Sequence, residues 1–145
     1  MNRINNAFLK SIANELELQE DDFTTIMEKM NPKFQIPINI DPNEHSIMKW
    51  SISEHFQIRY DYEGCEKDFT ARLFSSELNA TKEVYVEFGY DTPVVKVATS
   101  VFINNWYSFI GASGYLGATI VDVEGNLVLE FSDDNETMLR SNFKI

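Results

Sequence analysis

The chain has 145 residues, 43% hydrophobic and 24% charged, with 23 acidic against 12 basic residues and a net charge of −11. That length suits one domain over 1–145 with a buried core, and the composition excludes a disordered chain. The charge argues against a nucleic-acid partner, which needs surplus Lys and Arg to displace counterions, and against an anionic membrane, which the same field repels.

No apolar run reaches the ~20 residues of a membrane span. The opening "MNRINNAFLKSIANELEL" scatters polar residues where a secretory leader keeps an unbroken apolar stretch, so a cytoplasmic protein is expected. Cys65 is the sole cysteine, which leaves no intrachain disulfide and no cysteine-rich zinc site.

In chain order, Ile4, Phe8, Ile12 and Leu16 recur every fourth residue and predict a first helix. Phe23, Ile26, Met27 and Met30 predict a second, with Asp21 or Asp22 able to cap it and Pro32 to stop it. Together they read as an N-terminal helical hairpin. In "KFQIPINIDPNE" two prolines forbid a helix, while Ile36, Ile38 and Ile40 alternate as on an extended edge segment.

From Met48 to Tyr62 the even positions are apolar and the odd ones polar, broken only at Glu54, where a bulge is expected. That period predicts a strand with one covered face. "DYEGCEKD" then turns the chain, and "FTARLF", "EVYVEFGY" and the β-branched "VVKVATSVFI" continue as strands. Asn104 caps a short helix through Trp106, Phe109 and Ile110, and "ATIVDV", "LVLEFS" and "TMLRSNFKI" close with a meander. The sum is an α+β fold, its helical hairpin and short helix packed on one face of a largely antiparallel, meander-type β-sheet.

Gly111, Gly114 and Gly117 in "GASGYLG" invite comparison with a phosphate loop. Such a loop needs strand, glycines, then helix, so that free amides meet the phosphate; here a helix comes first and its C-terminal end repels anions. The glycines read as punctuation, with Gly111 or Gly114 ending the helix in the left-handed conformation and Gly117 allowing close entry into a strand.

His45 and His55 lack metal-ligand spacing, and His55 belongs to the polar sheet face beside Gln57 and Arg59. Cys65 lies among carboxylates that disfavour its thiolate. "DDNE" at 133–136 lacks the later glycine and glutamate of a calcium loop and reads as a hairpin turn. No cofactor and no metal are expected.

Two acidic clusters remain. One holds Glu15, Glu17, Glu20, Asp21 and Asp22. The other is a hairpin tip with Asp61, Glu63, Glu66 and Asp68 among Tyr60, Tyr62 and Phe69, where Arg59 and Arg72 could neutralise part of the charge. Each reads either as a solvated face or as an interface in which aromatics anchor and charge steers. The functional expectation is a non-enzymatic acidic protein that sequesters a basic protein partner. Its most concrete form is a bacterial immunity protein neutralising a toxin, a nuclease above all, because a nuclease must be basic around its groove. An acidic secretion chaperone or adaptor, and an enzyme using paired carboxylates, are the rivals.

Overall fold

A computed structural model describes residues 6–38, 47–50, 54–59, 66–88, 92–112, 117–133 and 137–145. Asn6 opens helix α1 (Ala7–Ser11) by accepting the Leu9 amide at 3.0 Å, a donor with no partner inside a helix's first turn. The stripe through Phe8, Ile12 and Leu16 does not prolong it. A 3-10 turn over Ala13–Glu15 intervenes, and the chain leaves as strand β1 (Leu16–Leu18). A narrow stripe stabilises an isolated helix too little to outweigh strand pairing.

Helix α2 (Phe23–Met30) forms as expected. Asp22 accepts the Thr25 amide at 2.8 Å, and Asn31, left-handed at φ 52°, returns its amide to Met27 O. With β1 between α1 and α2, the predicted helical hairpin is replaced by helix, strand, helix.

The predicted strand from Met48 to Tyr62 is realised only as β2 (Phe56–Arg59) among the described residues. Met48 instead forms an isolated bridge with Ile38, so the segment is extended at that residue; Ile40 lies outside the described residues. "FTARLF" belongs to helix α3 (Glu66–Phe74), not to a strand. Phe69, Ala71 and Leu73 alternate, but Phe69 and Leu73 are also one helical turn apart. Acids at the first turn and Arg72 at the last complement the helix dipole, and the helix wins.

A 3-10 turn (Glu77–Ala80) leads to β3 (Glu83–Glu87) and β4 (Val95–Ala98). The β-branched run then ends early. Helix α4 (Thr99–Asn104) buries Thr99, Phe102 and Ile103, so packing overrides the strand preference of that stretch. Asn104 closes α4, with its side chain on Ser100 O, rather than capping the next helix. Helix α5 (Trp106–Ala112) follows, then β5 (Gly117–Asp122), β6 (Val128–Asp133) and β7 (Thr137–Ser141), the predicted meander.

The seven strands form one sheet in the order β1-β4-β3-β5-β6-β7-β2, every pair antiparallel. The α+β class is as the sequence predicts. The registers align Val84, Val97, Ile120, Leu129 and Leu139 on one face, where Leu9 of α1 and the apolar sides of α3, α4 and α5 join them. At its centre Trp106 stacks on Phe131, ring centroids 5.7 Å apart and nearly parallel.

The opposite face presents Val121 and Val128, covered by Phe23, Ile26 and Met27 of α2 and by Ile36, Met48 and Trp50. The helices therefore divide between two faces instead of sharing one. The cause is visible in β5, where Ala118 and Ile120 point one way, Thr119 and Val121 the other, and all four are buried.

Candidate functional site

The acids of 15–22 follow one another along the outer edge of the sheet, from the 3-10 turn through β1 to the cap of α2. β1 is an end strand whose pairing with β4 places Leu16 and Leu18 on one face and Glu17 on the other. Leu18 is 37% exposed, one of two large hydrophobic side chains left open to solvent among the described residues.

Two of the five acids are neutralised locally. Glu17 meets Lys96 at 3.1 Å and Asp21 meets Lys29 at 2.8 Å, hydrogen bonds that push both lysine pKa values up. Asp22 spends an oxygen on the Thr25 amide, which pulls its carboxyl below the usual range. Glu15 and Glu20 are exposed and make no ion pair with a described residue. The edge thus keeps a surplus of negative charge around an exposed leucine.

The second cluster is not a hairpin tip as far as it is described. Glu66 and Asp68 stand exposed on the first turn of α3, where they complement the helix dipole. Phe69 is no surface anchor; it is buried at 4.9 Å from Trp106 and 6.0 Å from Phe131. Arg72 lies 6.0 Å over the Phe69 ring and donates to Ile145 O at 2.9 Å. Asp61, Tyr62 and Glu63 lie outside the described residues, as do Tyr60, Cys65, His45, Gly114 and the 134–136 turn.

His55 does lie beside Gln57, 3.4 Å from its side-chain oxygen, with its ring 5.2 Å from Trp50. Arg140 bonds the same Gln57 oxygen at 3.2 Å and Ser132 Oγ at 3.0 Å. In the glycine run, Gly111 is helical and does not adopt the left-handed conformation expected of it or of Gly114. Gly117 does have φ +124°, and a β-carbon there would stand 2.5 Å from Phe131 O, so the close approach read from sequence is real.

The polar centre that sequence reading missed is Glu130. It faces the α2 side of the sheet, 3% exposed, and four donors converge on its carboxylate. Oε2 accepts the Ile47 amide at 2.9 Å, the Met48 amide at 3.3 Å and the Thr119 hydroxyl; Oε1 accepts Trp50 Nε1 at 2.8 Å. Burial pushes its pKa above the ordinary carboxylate value, against the four hydrogen bonds that pull it down. The only clue in the sequence is an acid set between Leu129 and Phe131 in an otherwise largely apolar run from Leu127.

Glu130 lines neither of the two described surface grooves. One groove, about 520 Å³, runs past Glu77, Lys82, Glu83 and Glu124. The other, about 720 Å³, lies between α3 and the 142–145 segment and is floored by Phe56, Ala71 and Phe143. Asp122, also buried, accepts the amides of Asn126 and Leu127 at 2.8 and 2.6 Å and so holds the β5–β6 turn.

Among the described residues no group of three or more His, Cys, Asp or Glu is placed to hold a metal ion, and no helix is long and apolar enough to cross a membrane. No protein-family model, curated protein or solved structure matches the chain.

Proposed function

We propose that the protein is a non-enzymatic binding protein that takes a basic protein partner on the acidic edge of its sheet. The observation that carries the reading is the β1 edge itself. Glu15, Glu17, Glu20, Asp21 and Asp22 lie within one short segment around the exposed Leu18, with Lys96 and Lys29 offsetting only Glu17 and Asp21. An exposed apolar anchor with acids on both sides of it along the chain suits a partner of the opposite sign. The field speeds encounter, and the desolvated anchor slows release.

In its most concrete form the partner is a toxin domain, a nuclease above all, whose basic substrate groove the edge would fill, making this chain an immunity protein. The rival reading of carboxylate chemistry finds no support in Glu130. Its carboxylate lines neither described groove and already receives four donors from the chain itself.

The test is inhibition of a panel of basic nuclease domains, followed by association rates at two ionic strengths. The expected result is a hit whose association falls at least about tenfold on reversing Glu15, Glu17, Glu20 and Asp22 to Lys, with most of the salt dependence lost. A hit whose rate ignores those reversals removes this edge from the interface. No inhibition across the panel removes the nuclease reading.

A further inference from the structure

The backbone of the β1 edge is unfinished. In the β1–β4 ladder the Gln19 amide bonds Val94 O at 2.9 Å, so Glu17, two residues earlier, also directs its main-chain groups to β4. Leu16 and Leu18 direct theirs the other way, out of the sheet. The next ladder agrees. The Thr99 amide bonds Lys82 O at 3.0 Å, which turns Val95 and Val97 toward β3 and leaves Lys96 facing β1.

Of the outward groups, the Leu16 amide is used by Ala13 O. Leu16 O and both main-chain groups of Leu18 meet no partner among the described residues, which include the whole chain from 6 to 38 around them. Side chains alternate. Leu16 and Leu18 lie on the face of Val95 and Val97, and Glu17 lies on the other beside Lys96. Leu16 packs onto the core, whereas Leu18 stays 37% exposed.

We propose that an extended segment of the partner, its side chains alternately apolar and basic, adds to β1 as a further strand, which rests on the acidic edge being the contact surface. Covering Leu18 also strips water from the main-chain groups beside it, and a buried N–H or C=O left without a partner opposes binding. A helix has no spare main-chain groups to offer there; a strand brings them at matching spacing. Apolar side chains of that strand lie over Leu16 and Leu18. The alternate ones lie with the exposed Glu17, between Glu15 and Glu20, and there lysine or arginine is selected. A second copy of this chain is disfavoured, since β1 against β1 brings carboxylates together.

The probe is a fluorescent eight-residue peptide alternating leucine and lysine, titrated against the full chain by anisotropy. Saturable binding is expected, with the Leu18 amide exchanging at least about tenfold more slowly in the complex. N-methylating the peptide's leucines and N-methylating its lysines should give opposite results. One set of amides faces β1 and its loss abolishes binding; the other faces solvent and its loss does not. Replacing the lysines with glutamates, or Leu18→Ser in the protein, should weaken binding at least about tenfold. Leu18 is partly exposed, so the variant folds, which Trp106 fluorescence verifies; the exchange and methylation measurements need no variant.

Absence of saturable binding, equal effects of the two methylations, equal binding of the glutamate peptide, or indifference to Leu18→Ser each overturns the proposal. Binding that falls with Glu15→Lys and Glu20→Lys while the Leu18 amide stays unprotected overturns strand addition alone and leaves the acidic edge as the contact surface. Binding that ignores those reversals overturns both. Dimers that protect the Leu18 amide without peptide would assign the edge to a second copy and overturn the proposal too.

Discussion

The two faces of the sheet are covered by different physics. On one, α1, α3, α4 and α5 lay down aromatic and aliphatic side chains whose fit needs no polar partner, with Trp106 against Phe131 as its largest contact. On the other, α2 is joined by the irregular segment 47–50, where the Lys49 and Trp50 amides reach backbone carbonyls but those of Ile47 and Met48 turn to a side chain. A buried carboxylate supplies what regular structure does not. Glu130 holds two amides and the Trp50 indole against the sheet. Apolar cover is enough where the backbone bonds itself; irregular backbone brought into a core requires an acceptor with it.

Each face contains one of the chain's two tryptophans, so each has its own optical reporter. The largest test of the contrast is Trp106→Ala. It empties the centre of the helical face and should cost about 3–5 kcal/mol, read as a lower denaturant midpoint in which both faces are lost together. Next is Glu130→Ala. It strands the Ile47 and Met48 amides and the Trp50 indole, and should cost about 2–4 kcal/mol from donors left without acceptors. Its signature is local: Trp50 emission shifts red and amides 47–48 exchange faster, while Trp106 keeps its emission. Equal disturbance of both reporters would mean that the faces are not separable.

The smallest effect is the pH dependence. Because burial raises the folded-state pKa of Glu130 above the ordinary 4.5, the native state holds its proton to higher pH than the unfolded chain does. The stability this contributes is full below 4.5 and is lost as pH rises through the folded value. Wild type should therefore gain stability relative to Glu130→Gln as pH falls from neutrality toward 4.5, seen in paired thermal melts. A difference that shrinks on acidification would show that the hydrogen bonds, not burial, set the proton affinity.

How legible these features are depends on whether their cause is local. The β5–β6–β7 meander is readable because its alternation and turns lie within thirty or so residues and nothing competes with them. α3 is misread because Phe69, Ala71 and Leu73 satisfy both periods, and only the charged ends break the tie. α4 is misread because Val101 and Ile103 favour a strand until packing decides otherwise. At the candidate site, the acids of 15–22 are plain in the sequence. Their display on an edge strand is not, since β1 finds its place only by pairing with β4, far along the chain. The same distance hides Lys96 beside Glu17, and it hides Glu130 beside the segment it holds.

That sheet order has a consequence for how the molecule is made. β1 waits for β4, and β2 pairs, among the described residues, with a strand that is complete only when residues 137–141 have been synthesised. Emerging from the ribosome, the chain must hold both strands apart from these sheet partners while the central strands are still being translated. Surplus negative charge near β1 and arginines near β2 would keep those waiting segments hydrated through the interval and guard them from mispairing before the sheet is whole.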